Sequence, residues 1–376
     1  MVIFMVLPLM GVTYISWHLW TLLPVPPIWR VLAITLMIGS FAMMFLNFGR
    51  RFDSLPLPLA TACYEVSTSS IFVMLYLVIL FLVLDFGRLV HLVPRSWLYQ
   101  NGVTAIAICT FLIALFFYGN LKYNNKVRVE LGIKTGKKLS KDYRVVMLSD
   151  LHLGYHNPRK ELARWINLVN AEHPDFILIA GDIIDGSMRP VIEENMAEEF
   201  RRLNAPVYAC LGNHEYYSGT HEAQQFYHDA GINLLIDESI VIDSCITLIG
   251  RDDRTNMRRK PINELTKHSS KNDKPYTIVI DHQPYNLDRS EAAGIDFQLS
   301  GHTHRGQVWP ISWITDAIYE CSWGSHQRGN TRFYISSGIG IWGGKFRIGT
   351  QSEYIVTTIK HYSAPPQKIP RKTNVR

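Results

Sequence analysis

The chain has 376 residues, of which 47% are apolar, 12% aromatic and 19% charged, with a formal net charge of +6. That is room for two or three domains with a sizeable core; it is too apolar for a disordered protein and too varied for a fibrous one. So mild a charge argues against a nucleic-acid binder, and no nucleic-acid partner is expected.

The averages conceal a split. Residues 1–118 hold only five basic residues (Arg30, Arg50, Arg51, Arg88, Arg95) and three acids (Asp53, Glu65, Asp85). Charge is absent from 2–29, 31–49, 66–84 and 96–121. A helix needs about 20 apolar residues to cross a hydrocarbon core of roughly 30 Å. Four spans are therefore expected, near Val2–Leu23, Val31–Phe48, Ile71–Val90 and Val103–Tyr118. A cleaved signal peptide is a poor reading of the first, which no Lys or Arg precedes.

Lys122, Lys126, Arg128, Lys134, Lys137, Lys138 and Lys141 follow the fourth span, and Arg50 and Arg51 lie between the second and third. By the positive-inside rule, both termini and everything after residue 119 face the cytoplasm. Asp85 and Arg88, three apart near a span end, are expected to neutralise one another. Residues 119–142 read as a basic linker able to lie on anionic lipid.

From Tyr143 the pattern changes to short apolar runs closed by polar clusters. Tyr143–Leu148 runs into Ser149–His152, Phe176–Ala180 into Gly181–Asp185, and Pro206–Leu211 into Gly212–Glu215. Helical stretches, Lys160–Glu172 and Val191–Leu203, lie between them. Alternating strands and helices predict a largely parallel sheet, with ligands beyond the carboxyl ends of its strands. Further strands are expected at Ile232–Ile236, Ser239–Ile249, Tyr276–Ile280, Phe297–Ser300, Thr331–Ser336 and Glu353–Ile359. Two of these end in Asp281–Pro284 and Gly301–His304. The domain is bounded at 143–360, and the Pro-rich tail 361–376 is expected to be disordered. Five scattered cysteines (Cys63, Cys109, Cys210, Cys245, Cys321) without a CxxC pair read as structural thiols, which a reducing compartment suits.

The strand ends carry Asp150, His152, Asp182, Asn213, His282, His302 and His304. One Asp at a strand end is usually a turn or cap residue, and one His usually a core residue. Seven in five clusters, each after an apolar run, are another matter. Mixed oxygen and nitrogen donors suit manganese first, with iron, zinc or magnesium as alternatives. Seven exceed what one ion takes and point to two divalent ions, the device for in-line displacement at phosphorus.

As a set, Asp150-Leu-His152, Gly181-Asp-Ile-Ile-Asp185, Gly212-Asn-His-Glu215, His282 and Gly301-His-Thr-His304 resemble the five signature motifs of the calcineurin-like metallophosphoesterases. Ser300–Gln307 and Ser336–Trp342 resemble its membrane-associated bacterial branch. The resemblance implies an α/β fold: a sandwich of two mixed sheets flanked by helices, here behind a four-helix transmembrane region. It assigns one ion to Asp150, His152, Asp182 and His304, the other to Asp182, Asn213, His282 and His302. It makes His214 the acid that protonates the leaving oxygen, and Asp185 the carboxylate holding it. Leu211 and Gly186 stand where protein phosphatases of this superfamily place arginines, which counts against phosphoprotein substrates. Arg305 and Arg251 are candidate phosphate contacts.

The expected function is a membrane-anchored, dinuclear phosphoesterase or pyrophosphatase, multi-pass in a bacterial inner membrane with its catalytic domain in the cytoplasm. Its anchor favours a lipid-linked phosphate ester. One relative in that branch cleaves UDP-2,3-diacylglucosamine in lipid A synthesis, making that the first named candidate. The alternatives are a nucleotide phosphodiesterase or nuclease, and a membrane sensor or scaffold with an inactive phosphoesterase domain. The full donor set opposes the last.

Overall fold

The computed structural model describes residues 2–48, 50–266 and 275–361, so all but the first residue of the expected tail 361–376 lies outside it. The chain opens with four helices, α1 (Val2–Leu22), α2 (Pro27–Phe48), α3 (Leu57–Leu89) and α4 (Gly102–Asn124). Among the described residues, α3, α4 and Pro27–Asn47 of α2 are long and apolar enough to cross a membrane. The uncharged α1 packs on α3 through Ile15, Leu22, Met74, Leu77 and Phe81. α3 starts 14 residues before the expected Ile71, because Leu57–Ser70 is too rich in Ser, Thr and Ala to read as a span. That first part instead buries Ala60, Tyr64, Ser67 and Thr68.

The Asp85–Arg88 expectation is corrected. The Tyr14 hydroxyl donates to Asp85 at 2.8 Å, and His18 Nε2 lies 3.1 Å away. No ion pair joins Asp85 to Arg88 among the described residues. Two polar side chains offered by α1 inside an apolar bundle outweigh a same-helix neighbour.

The linker is corrected too. One residue after α4 the chain enters β1 (Lys126–Thr135), the edge of a six-stranded sheet. Its basic residues suggested a linker, but they alternate with apolar ones: Val129, Leu131 and Ile133 face inward while Arg128, Glu130 and Lys134 face solvent. Period two is the strand signature, and lysine on an edge strand discourages pairing with other chains.

The remaining elements are β2 (Tyr143–Leu148), α5 (Arg159–Ala171), β3 (Phe176–Ala180), α6 (Arg189–Glu193), α7 (Met196–Phe200), β4 (Val207–Cys210), α8 (Asn213–Ser218), α9 (Thr220–Asp229) and β5 (Ile232–Leu234). There follow β6 (Glu238–Ile242), β7 (Ile246–Gly250), α10 (Ile262–Leu265), β8 (Tyr276–Ile280), α11 (Leu287–Ala292), β9 (Phe297–Ser300), α12 (Ile311–Ile318), β10 (Gly324–Arg328), β11 (Thr331–Ile335) and β12 (Ser352–His361). The expected helix 191–203 breaks at Asn195, whose φ is 52°. The expected strand 239–249 is a hairpin, turning at Asp243 and Ser244.

One sheet runs β1-β12-β2-β3-β4-β5 and the other β10-β11-β9-β8-β7-β6. Both are mixed: β2 to β5 are parallel, β12 is antiparallel to β2, and β7, β8, β9 and β11 are parallel. The sheets face each other through Val145, Met147, Leu178, Leu248, Ile278 and Leu299. Helices cover the far face of the first through Trp165, Ile166, Phe200 and Tyr227. Strands buried on both faces read as continuous apolar runs, which is why β2, β3 and β8 were legible.

The helical region is built into this sandwich. Tyr123 of α4 donates to Asn157 at 2.6 Å, and Tyr76 of α3 to the Trp309 carbonyl at 2.5 Å. Arg189 donates to the Asp53 and Leu55 carbonyls, and Arg50 to that of Tyr217. The α2–α3 connection therefore packs against the sandwich.

Candidate metal centre and active site

Parallel strands end on the same side of a sheet, so polar residues just past β2, β3, β4, β8 and β9 converge. Asp150, His152 and His304 bring one ligand atom each to within 4.8 Å of one another, and so do Asp182, His282 and His302. Asn213 Oδ1 joins the second group at 3.2 Å from His282 Nε2. Asp182 Oδ2 faces both groups, 3.0 Å from His282 Nε2 and 3.7 Å from His152 Nε2. All seven residues singled out in the sequence thus lie together, five buried and His302 and His304 half-buried.

Five of them, Asp150, His152, Asp182, His302 and His304, have φ between 46° and 72°. That left-handed region costs a non-glycine residue about 1–2 kcal/mol, and such strain gathers at functional sites. Close packing adds a second demand. A Cβ on Gly212 would stand 2.1 Å from Asp182 Oδ1, so no side chain fits there.

The donors suit divalent cations. Nε2 of His152 and Nε2 of His304 face each other at 3.0 Å, with Asp150 Oδ1 at 3.9 and 3.6 Å. Two imidazoles and a carboxylate aimed at one another form a lone-pair pocket that a cation would satisfy. Burial and the charge on His282 push His302 down to about 4, and burial holds His304 well below its ordinary value, so both are neutral donors. His282 Nδ1 donates to the Ala180 carbonyl at 2.8 Å, which turns Nε2 toward Asp182.

His214 sits on the first turn of α8, its amide donating to Asp182 Oδ1 at 2.9 Å. Its ring stands across from that of His152, with centroids 4.5 Å apart. Burial opposes a charge on His214, but Asp182 and Asp185 outweigh it and push the imidazole up to about 9. Asp185 Oδ1 lies 3.2 Å from His214 Nδ1, at an angle short of a hydrogen bond, and 3.3 Å from His152 Nδ1. Asp185 therefore serves both imidazoles. Burial is outweighed by those two histidines, and its carboxyl is held well below the usual range.

Three residues escaped the sequence reading. Buried Glu215 accepts from the amides of Gly212, Asp182 and Ile184 at 2.7, 3.1 and 3.0 Å, stitching two donor loops together. Fully buried Arg347 donates to the carbonyls of His304, Ser337 and Gly340. Tyr64, from α3, donates to Asp185 Oδ2 at 2.6 Å. Glu215 stood in a quoted motif; Tyr64 and Arg347 had no local signal.

The arginine expectations are revised. Arg251 is buried, its guanidinium held by Asp281 at 2.9 Å and by the Lys260 carbonyl. A buried carboxylate nearby claims it before a substrate could. Arg305 stacks on the ring of Trp323 at 4.2 Å.

A family model for calcineurin-like phosphoesterases matches residues 143–306. An uncharacterized metallophosphoesterase of Aquifex aeolicus is 30% identical over 245 residues, 62% of this chain and 92% of that protein. One from Campylobacter jejuni is 29% identical over 265 residues, 69% of either chain. A transmembrane protein with metallophosphoesterase domain from Danio rerio is 28% identical over 363 residues, 88% of this chain and 80% of its own. That last span takes in part of residues 1–118 and, with the apolar helices, marks the protein as membrane-associated. An alignment along nine-tenths of a relative 30% identical, with the family model over 143–306, makes this chain a calcineurin-like metallophosphoesterase, a metal-dependent hydrolase of phosphoric esters.

Proposed function

We propose that this protein hydrolyses a phosphoester or pyrophosphate bond of a lipid-linked substrate, at the cytoplasmic face of a bacterial inner membrane. The observation that carries it is the convergence of seven donors at the junction of the sandwich with α3 and α4. Asp150, His152, Asp182 and His304 would hold one divalent ion and Asp182, Asn213, His282 and His302 the other, with Asp182 between them. Two such ions supply charge neutralisation and an activated water for in-line displacement at phosphorus. His214 donates a proton to the leaving oxygen as the P–O bond breaks. Asp185 orients that imidazole and favours its cationic form, while also anchoring His152.

The basic residues Arg50 and Arg51, on the catalytic side, support the cytoplasmic orientation. UDP-2,3-diacylglucosamine is one substrate of the required kind, with a pyrophosphate on an acylated sugar. The metal-reconstituted protein is expected to bind two transition-metal ions per chain and to hydrolyse bis(p-nitrophenyl) phosphate. Elemental analysis showing only trace metal, with no hydrolysis, rules the proposal out.

Tyr64 supplies a finer test. Tyr64→Phe keeps the ring stacked on His156 at 5.0 Å but removes the hydrogen bond to Asp185. A hydrogen bond to a charged group is worth about 1.5–3 kcal/mol. Turnover of an alkyl ester should fall roughly tenfold with both ions retained. Unchanged turnover means that Asp185 needs no help from α3.

A further inference from the structure

Between the donor His304 and the strands that follow it, the chain makes the short helix α12, Ile-Ser-Trp-Ile-Thr-Asp-Ala-Ile. Its outer face is apolar. Trp313, Ile314 and Ile318 are 65%, 57% and 59% exposed, and Trp309 just before the helix is 39% exposed. The one charged residue of α12, Asp316, is exposed at the flank of this face and accepts from the Ser322 hydroxyl. A contiguous bulky apolar face on a water-soluble surface marks an interaction site.

The level of α12 relative to the bilayer identifies the occupant. Val308 and Ile311 pack against Phe72 and Tyr76 of α3, with Phe116 of α4 in the same cluster. Tyr76 precedes Arg88 by 12 residues, about 18 Å along a helix rising 1.5 Å per residue. With Arg88 at the far boundary of a hydrocarbon core of roughly 30 Å, Tyr76 lies well inside the near leaflet. α4 gives the same depth independently, since Phe116 stands 14 residues, about 21 Å, from Gly102 at its far end. Tilting either helix only deepens the contact. The exposed face of α12 is thus continuous with the lipid-facing surfaces of α3 and α4.

The same helix borders the metal site. On its N-terminal side the chain comes directly from His304 through the 304–306 turn. At its C-terminal end the ring of Tyr319 sits 6.3 Å from that of His302. One wall of the site's mouth is therefore an apolar helix at membrane depth.

We propose that α12 lies in the membrane plane, its Trp313–Ile314–Ile318 face among the acyl chains of the adjacent leaflet, so that a lipid-tailed phosphoester reaches the metal site laterally from within the bilayer. The occupant of the patch is the lipid bilayer. The route for the substrate rests on the phosphoesterase reading; the membrane contact does not.

The full-length protein, reconstituted with metal in phosphatidylcholine–phosphatidylglycerol nanodiscs, tests both halves. In nanodiscs with brominated acyl chains, the fluorescence lost in Trp313→Phe relative to wild type should be the fraction that bromine quenches. If that fraction is quenched by aqueous acrylamide and not by bromine, the membrane contact is overturned. For the route, hexadecyl p-nitrophenyl phosphate and methyl p-nitrophenyl phosphate share one leaving group and differ in the tail. Trp313→Asp, with Ile314→Asp as an independent second variant, should lower turnover of the hexadecyl ester at least tenfold and leave that of the methyl ester unchanged. Equal loss on both esters, or none on the hexadecyl ester, overturns lateral entry. Wild type hydrolysing neither ester overturns the phosphoesterase reading and the route with it, while the quenching still decides the membrane contact.

Discussion

Asp182→Ala is expected to abolish binding of both ions and to lower turnover by roughly 10³-fold or more, a loss of several kcal/mol of charge stabilisation. Asp182 Oδ2 faces His282 and His152, one from each donor group, so its removal unsettles both. Asp182 Oδ1 also accepts from the His214 amide, so the acid shifts as well. Alanine at φ 52° adds backbone strain. Asp182→Asn is the companion variant, because asparagine tolerates that conformation while lacking the charge. Asn213→Ala, which touches one group only, should lose one ion and less activity. Metal content and turnover measured side by side decide the matter. Equal losses from Asp182→Asn and Asn213→Ala contradict a bridging carboxylate.

His214→Ala should behave in the opposite way, leaving both ions bound while turnover falls about 10²–10⁴-fold, the usual contribution of a positioned acid. The loss should shrink for p-nitrophenolate, which leaves without a proton, and grow for an alkoxide. His304→Ala removes a donor instead: metal occupancy drops and every ester suffers alike. Asp185→Asn should give a muted form of the His214→Ala pattern together with weaker binding at His152, since Asp185 lies 3.2 and 3.3 Å from the two rings. The ratio of alkyl-ester to aryl-ester loss separates these variants. A His214→Ala loss independent of leaving-group pKa would falsify the assignment of His214 as acid.

The convergence of the seven candidate donors was legible because each stands just after an apolar run, and parallel strands put such positions on one edge. Chemistry at strand ends leaves a local trace: a hydrophobic stretch, a glycine, then a ligand type. Tyr64 leaves none, for it meets Asp185 from 121 positions away, on a helix whose start looked too polar to be one. Arg347 is similar, a lone arginine whose burial depends on carbonyls from His304, Ser337 and Gly340. Arg251 was misjudged because a motif-like neighbourhood says nothing about which carboxylate lies opposite. β1 was present in the alternation of its residues but was outweighed by a count of its lysines. Composition averages over position, and a strand edge is a statement about position.

The parallel pairing of β1 with β12 also sets a timetable for synthesis. Ten residues at 126–135 must wait for 352–361, which leave the ribosome roughly 220 residues later, a delay of about 10–40 s at ordinary elongation rates. Throughout that interval α4 has been made and β1 trails from it without β12, its one sheet neighbour among the described residues. One margin of the sheet thus stays tethered to α4 while the rest of the sandwich is still being built toward it. Closure falls to β12, so a chain stopped before residue 352 would carry all seven candidate donors and still lack the strand that joins β1 to β2.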